Sequence, residues 1–408
     1  MARFTPFHPR TSELCHSFAW KEWAGYNAVC NYDRHSEREY YAIRHTAGLI
    51  DVTPLYKCEV TGPDAGLLLS RVWCRDISKI GVGRVVYSAM CDERGMCLDD
   101  GTIARLSKEH YRVSTTESWY RWHLRFARGL DVQVEDSTDR IAAVALQGPA
   151  ARKILKPIVE FDMDRMRFFR VRRTNLGNIP LWISRTGYTG DLGYELWVEN
   201  QHALPLWDAL IEAGKIHGLE PFGLDALDVS RIEAGFVLQG VDYISAKQCL
   251  IESRKSTPTD AGLGWTVELE DRDPFVGQSA LLQEKKQGPK WGLVGLDISW
   301  PAVEVLYDEY GLPPHLAPVS CRLAVPIYDK LGQKQVGQAT STTWSPTLKK
   351  YLALGQVYDK YTKLGTELRI EHTVEFNRRQ LPATVIDKPF FDPKRKKFTP
   401  AAAKKKAS

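Results

Sequence analysis

Two spacings of apolar residues divide this chain. Helical spacing runs over 36–48, where Tyr40, Tyr41, Ile43 and Ala47 form one face. That helix is expected to stop at Gly48, before the extended run Leu49-Ile50-Asp51-Val52. A second helix is expected over 63–75, opened by Pro63 and Asp64. Strands are expected at 84–91 and 96–106, joined by the turn Asp92-Glu93-Arg94-Gly95. A helix near 117–128 and a strand near 140–146 follow, then amphipathic helices at 149–157, 202–216 and 224–236. Beyond Gly262 the texture changes. Short strand-like runs at 293–298, 322–328, 352–358, 367–371 and 381–386 are separated by Pro and Gly turns. That pattern predicts an all-β C-terminal domain, either sandwich or barrel.

The densest chemistry lies in Ser184-Arg185-Thr186-Gly187-Tyr188-Thr189-Gly190-Asp191-Leu192-Gly193-Tyr194-Glu195-Leu196. Its glycines permit tight turns and close approach of a flat ligand. After Gly193 the residues alternate as a strand. Tyr194, Leu196 and Val198 share one face, and Glu195, Trp197 and Glu199 share the other. A carboxylate beside an indole suits a planar, hydrogen-bond-donating heterocycle.

In the predicted hairpin, Asp100 shares parity with Met96, Leu98 and Ala104, the more apolar row. A carboxylate there is costly unless partnered. With 92–95 as the loop, counting back places Tyr87 opposite Asp100, within side-chain reach. The pair fits a raised carboxylate pKa and a proton-accepting or electrostatic role. From the pattern alone, Asp100 also fits a carboxylate that merely ends the apolar part of its strand. Arg231 falls on the stripe of Leu224 and Leu227 rather than on a solvated face. It wants a carboxylate or phosphate, whether from a ligand or from an internal bridge to Asp228 or Glu195.

Charge narrows the partners. The net charge is +5, but removing the seven basic residues of 394–408 takes it to −2. The folded body therefore carries no general nucleic-acid footprint, and the tail reads as a disordered basic end. None of the eight cysteines forms a Cys-x-x-Cys pair, and the histidines show no His-x-x-x-His spacing. Reduced thiols in the cytoplasm are expected, and no metal site. No run is long and apolar enough to span a membrane. Nucleotide-binding glycine loops are missing too.

The same stretches resemble the glycine cleavage T protein family, the folate-dependent aminomethyltransferases and their relatives. The matching segments include Arg44-His45-Thr46-Ala47-Gly48-Leu49-Ile50-Asp51-Val52, Leu98-Asp99-Asp100, Leu146-Gln147-Gly148-Pro149, Ser184 to Leu196, Arg231-Ile232-Glu233-Ala234-Gly235 and Trp344-Ser345-Pro346. The resemblance implies an α+β, three-domain cloverleaf binding tetrahydrofolate as one-carbon acceptor. It implies a folate-binding region over 1–262, built from two interleaved domains (1–55 with 140–262, and 56–139). A C-terminal β domain over 263–391 and the tail 392–408 complete the expected layout. It makes Asp100 the catalytic aspartate, Glu195 the carboxylate that holds the pterin, and Arg231 the arginine that meets the glutamyl tail. Tyr87 and Tyr188 become aromatic positions around that pocket.

The chain also departs from that pattern. Gly101-Thr102 stands where the family usually has Leu and a β-branched residue. Ser114 or Thr115 replaces an Asn, Gln239-Gly240-Val241-Asp242 replaces Tyr-Gly-Gln-Glu, and Thr53-Pro54-Leu55-Tyr56 replaces Ser-His-Met. The donor is thus open between the aminomethylated lipoyl arm of the H protein and a small sulfonium, methylamine or methoxyaromatic compound. For small onium donors, the Trp-rich N-terminal region suggests a cation–π cage. A non-catalytic folate-binding protein is the alternative of another class.

Overall fold

The computed structural model describes residues 3–402. It divides into two compact units. The first runs through Ser88, then takes Asp99–Leu227 and the chain from Asp392 on; the second comprises Ala89–Leu98 and Asp228–Phe391. Among the described residues no helix is long and apolar enough to cross a membrane.

The first unit holds one sheet and most of a second. One has six strands in the order Val171–Leu176, Ile179–Ser184, Gly193–Glu199, Ile141–Gln147, Ala47–Asp51 and Leu219–Pro221. All pairings are antiparallel except the last, where Leu219 faces Ala47 in parallel register. The predicted alternation is realised on Gly193–Glu199. Tyr194, Leu196 and Val198 enter a core with Leu49, Val144, Leu146 and Ile183. The helix Ala203–Gly214 seals that core with Leu206, Trp207 and Leu210, spaced at i, i+1 and i+4. Burying each such side chain contributes about 1.5–3 kcal/mol, which fixes the strand register.

The second sheet runs Val85–Cys91, Cys97–Ser107, His110–Thr115, Tyr56–Thr61 and Gln133–Asp136. Its first hairpin turns at 92–95 as expected: Gly95 donates its N–H to the Asp92 carbonyl at 2.9 Å and takes φ +76°. The sheets meet where the Arg112 guanidinium lies 5.2 Å from the Trp197 ring centre. They also meet along the backbone, where Val85 donates to the Phe169 carbonyl and Phe169 to that of Arg185, each at 3.1 Å.

In the second unit the expected β domain is a closed six-stranded barrel. Its order is Trp291–Ile298, Lys350–Tyr358, Gln335–Ser345, Val325–Tyr328, Glu367–Val374 and Asn377–Ile386. Closure comes from Gly295 to Ile298 pairing with Ile386 to Ala383, leaving no free edge among these strands.

The tail corrects an expectation. Residues 392–402 are ordered against the first unit, with a short 3₁₀ turn over Lys394–Lys396. Lys396 is buried and Arg395 pairs with Asp191, so composition alone misread this end. Its last residues, 403–408, lie outside the described ones.

Candidate active site

Tyr87 and Asp100 meet on the hairpin, where the tyrosine O–H donates to Asp100 Oδ2 at 2.5 Å. Asp100 is 8% exposed. A carboxylate so nearly dry gains from each donor it keeps. Beside it, Asp99 is wholly buried and accepts from the Asp100 and Glu117 N–H groups, Thr116 Oγ1 and Trp119 Nε1. Burial first, then the neighbouring Asp100 charge, pushes Asp99 up to about 7. Asp99 thus ties the end of the hairpin to the loop after His110–Thr115.

The glycine-rich segment folds around one side chain. The buried Gln147 accepts from Thr189 Oγ1 at 2.9 Å and reaches the Thr186 carbonyl at 3.4 Å. A Cβ at Gly187 or Gly193 would lie 2.0 or 2.2 Å from Gln147 Oε1. The two glycines therefore flank the amide, and neither position has room for a side chain. Tyr188 is half-buried between them. Glu195, also half-buried, sits opposite Ser184 on one side and Ala145 on the other. Burial pushes its carboxyl up to about 7, against a hydrogen bond from Thr186, which in turn touches Ser184 Oγ at 2.5 Å. A poorly compensated acceptor of this kind fits a ligand that brings N–H donors.

The backbone stitch at Phe169 joins these two arrays. Arg185 opens the glycine-rich loop, and Tyr87 is two residues past Val85 on the same strand. The first unit therefore brings Tyr87, Asp100, Tyr188 and Glu195 onto elements bonded to each other.

Arg231 makes the internal bridge that its place on the helical stripe allowed. It is 1% exposed in the second unit, and its partners are internal. Nε bonds Asp228 at 2.7 Å, Nη1 bonds Asp242 at 2.6 Å, and Nη2 bonds Ser341 Oγ at 2.8 Å. Two carboxylates and a hydroxyl already occupy the fork, so the internal bridge to Asp228 is what the fold builds. Asp242, from the altered Gln239–Asp242 stretch, completes it. Arg322, partly exposed, takes the other Asp228 oxygen at 2.7 Å.

The aromatic readings shift as well. Trp197 is buried under Arg112 and offers no open stacking face. Trp119 is buried with its N–H on Asp99, while Trp20 leans on His8 with ring centres 5.1 Å apart. The cavity that Trp20 lines with Tyr32 and Asp51 admits about one water, too little for an onium group. Two supporting residues carry a signal in the sequence itself. Gln147 is the polar end of an otherwise apolar strand, and Asp99 immediately precedes the candidate catalytic residue.

Known proteins agree with this architecture. Residues 11–271 match the family model described as GCVT N-terminal domain. Residues 314–392 match the glycine cleavage T-protein C-terminal barrel domain.

The chain belongs to the glycine cleavage T-protein family.

Within this family of tetrahydrofolate-using aminomethyltransferases, it is 33% identical over 364 residues to an aminomethyltransferase of Caldanaerobacter subterraneus, covering 88% of each chain. It is 34% identical over 408 residues to the trimethylamine-oxide aldolase of Ruegeria pomeroyi. That match covers 97% of this chain and 48% of the relative, so the chain spans about half the length of that protein. The crystal structure of the glycine cleavage system aminomethyltransferase T from Bartonella henselae superimposes with a TM-score of 0.81. That superposition covers 96% of this chain and 99% of the other at 24% identity, and it establishes the T-protein fold.

Proposed function

We propose that this T-protein relative transfers a one-carbon group to tetrahydrofolate, with Asp100 as the catalytic carboxylate. The observation that carries the reading is the Tyr87–Asp100 pair: a nearly dry carboxylate aimed by a phenol, on a strand stitched to the glycine-rich loop. Tetrahydrofolate supplies the nitrogen that takes up the carbon unit. Asp100 holds negative charge where positive charge develops on nitrogen or on the transferred carbon. Tyr87 fixes the carboxylate's orientation, so no reorganisation is needed during reaction. Glu195 accepts from the pterin N–H groups, and Tyr188 walls the ring. Arg231 acts at a distance here, as the internal tie of Asp228 and Asp242.

The first reading of the donor is an aminomethyl group presented by a lipoylated H protein, as the name of the Caldanaerobacter relative suggests. A second reading is demethylation of a small methylamine, sulfonium or methoxyaromatic donor. It is favoured by the altered residues 53–56 and 101–102 and by the aldolase relative, whose name points to an N-methyl substrate. Purified protein with tetrahydrofolate is to be offered aminomethylated H protein, dimethylglycine, sulfonium compounds and methoxyaromatics in parallel. Methylenetetrahydrofolate from the first supports aminomethyl transfer, and methyltetrahydrofolate from a small donor supports demethylation. Absence of any folate binding by calorimetry overturns both.

A further inference from the structure

The loop 185–192 contains two glycines and meets its own sheet through Gln147 and, at its two ends, through Arg185 N–H on the Arg170 carbonyl at 2.8 Å and Gly148 N–H on the Leu192 carbonyl at 2.7 Å, which leaves its other side for another segment to hold. The chain end does so. Asp191 is buried, and Arg395 grips it with both prongs, Nε to Oδ1 and Nη2 to Oδ2, each at 2.7 Å. The same Nη2 reaches the Arg44 carbonyl at 3.3 Å, and Arg44 Nη1 bonds the Thr189 carbonyl at 2.9 Å. Arg185, fully buried, faces only neutral oxygens. Besides the Met166 carbonyl, its acceptors are the carbonyls of Arg395, Lys396 and Phe398 and the hydroxyl of Thr399. Arg152 joins the array, with Nη2 on the Phe398 carbonyl at 3.0 Å and Nε on the Tyr194 hydroxyl at 3.1 Å.

These contacts run in two directions. Through Asp191 and Thr189 they set the loop that carries Tyr188. Through Arg185 they set the residue whose own carbonyl receives Phe169 N–H, the stitch toward Tyr87. A buried guanidinium whose acceptors come mostly from residues 395–399 is not satisfied without that segment.

We propose that residues 392–399 form a latch on the glycine-rich loop, with Arg395 and Arg185 as positioning residues for tetrahydrofolate binding. The placement of the loop is a matter of geometry alone, while its consequence for folate rests on the function proposed above. A latch of this kind acts on affinity and leaves the chemistry at Asp100 largely alone.

The test uses the full chain, with Arg395→Ala, Arg395→Lys and the swap of Asp191→Arg with Arg395→Asp. Hydrogen exchange of ligand-free protein is read over 185–192, and KM and kcat for tetrahydrofolate are measured separately. Arg395→Ala is expected to speed exchange in that loop selectively and raise KM about tenfold, with kcat within about twofold. Arg395→Lys, keeping charge without the fork, is expected to fall between. The swap is expected to restore part of the protection. Unchanged loop exchange in Arg395→Ala overturns the latch, and so does a uniform rise across the whole first unit. If wild-type protein binds no tetrahydrofolate, the functional reading fails, while the exchange data still decide the latch.

Discussion

The Tyr87 hydroxyl donates to Asp100 Oδ2 across the hairpin. Removing that donor takes away one of the groups that aim the buried carboxylate. Tyr87→Phe is expected to lower kcat/KM about ten- to hundredfold, with tetrahydrofolate affinity changing less than about threefold. Asp100→Asn is expected to retain folate binding and lose about 10²–10³ in kcat. Steady-state kinetics beside a binding titration separates the two effects, and wild-type turnover in Asp100→Asn would refute the assigned role.

Glu195 gives a pH signature. Burial raises its carboxyl to about 7, so the folded protein holds this proton more tightly than the unfolded chain does. The stability that the proton confers is complete below the ordinary glutamate range and is lost as pH rises toward 7. Glu195→Gln carries no such titration. Denaturation of the variant is expected to match or fall below wild type near pH 4 and to gain on it by about 1–2 kcal/mol near pH 8, a figure reduced for partial exposure. Folate affinity should move the other way: in wild type it rises with pH through about 7, and in Glu195→Gln it is weak and flat.

Gly193→Ala would drive a methyl group into the Gln147 amide. The glutamine must swing away, losing its bonds to Thr189 and Thr186. A loss of about 1–3 kcal/mol is expected by chemical denaturation. Adding Gln147→Ala should cost clearly less in that background than in wild type. An additive double mutant would show that the two positions do not collide.

Arg231→Met would leave buried Asp228 with Arg322 and buried Asp242 with neutral donors in place of the guanidinium. Breaking such a pair typically costs about 3–5 kcal/mol. The denaturant midpoint is expected to fall accordingly, before any effect on folate affinity is apparent at low temperature. Unaltered stability together with lost folate binding would return Arg231 to the ligand-contacting role that the family resemblance implied.

The site was legible where local geometry decides. Hairpin counting brought Tyr87 and Asp100 within reach of each other, as their side-chain contact bears out, and alternation after Gly193 gave the buried face of that strand. The barrel strand Gln335–Ser345 shows no clear period because its inward residues include Ala339 and Thr342, too small or polar to mark one, and a bulge between Ala339 and Ser341 breaks the alternation. Arg231 looked odd on its stripe, yet spacing cannot reveal that Asp242 and Ser341 come to meet it. The chain end was misread for a related reason. Lysine-rich composition describes solvation, whereas Arg395 is held by one buried aspartate two hundred residues away.

Gly101 sits where a Cβ would come within 2.5 Å of the Ser114 carbonyl oxygen and 3.1 Å of the Trp73 ring. The space for a leucine is filled first by a neighbouring main chain and then by the Thr115 and Trp73 side chains. Whatever preference this position confers is therefore written into strand spacing. An engineer wishing to graft a relative's substrate range onto this scaffold would have to transplant the paired segments together, since a point replacement at 101 would prise the sheet apart.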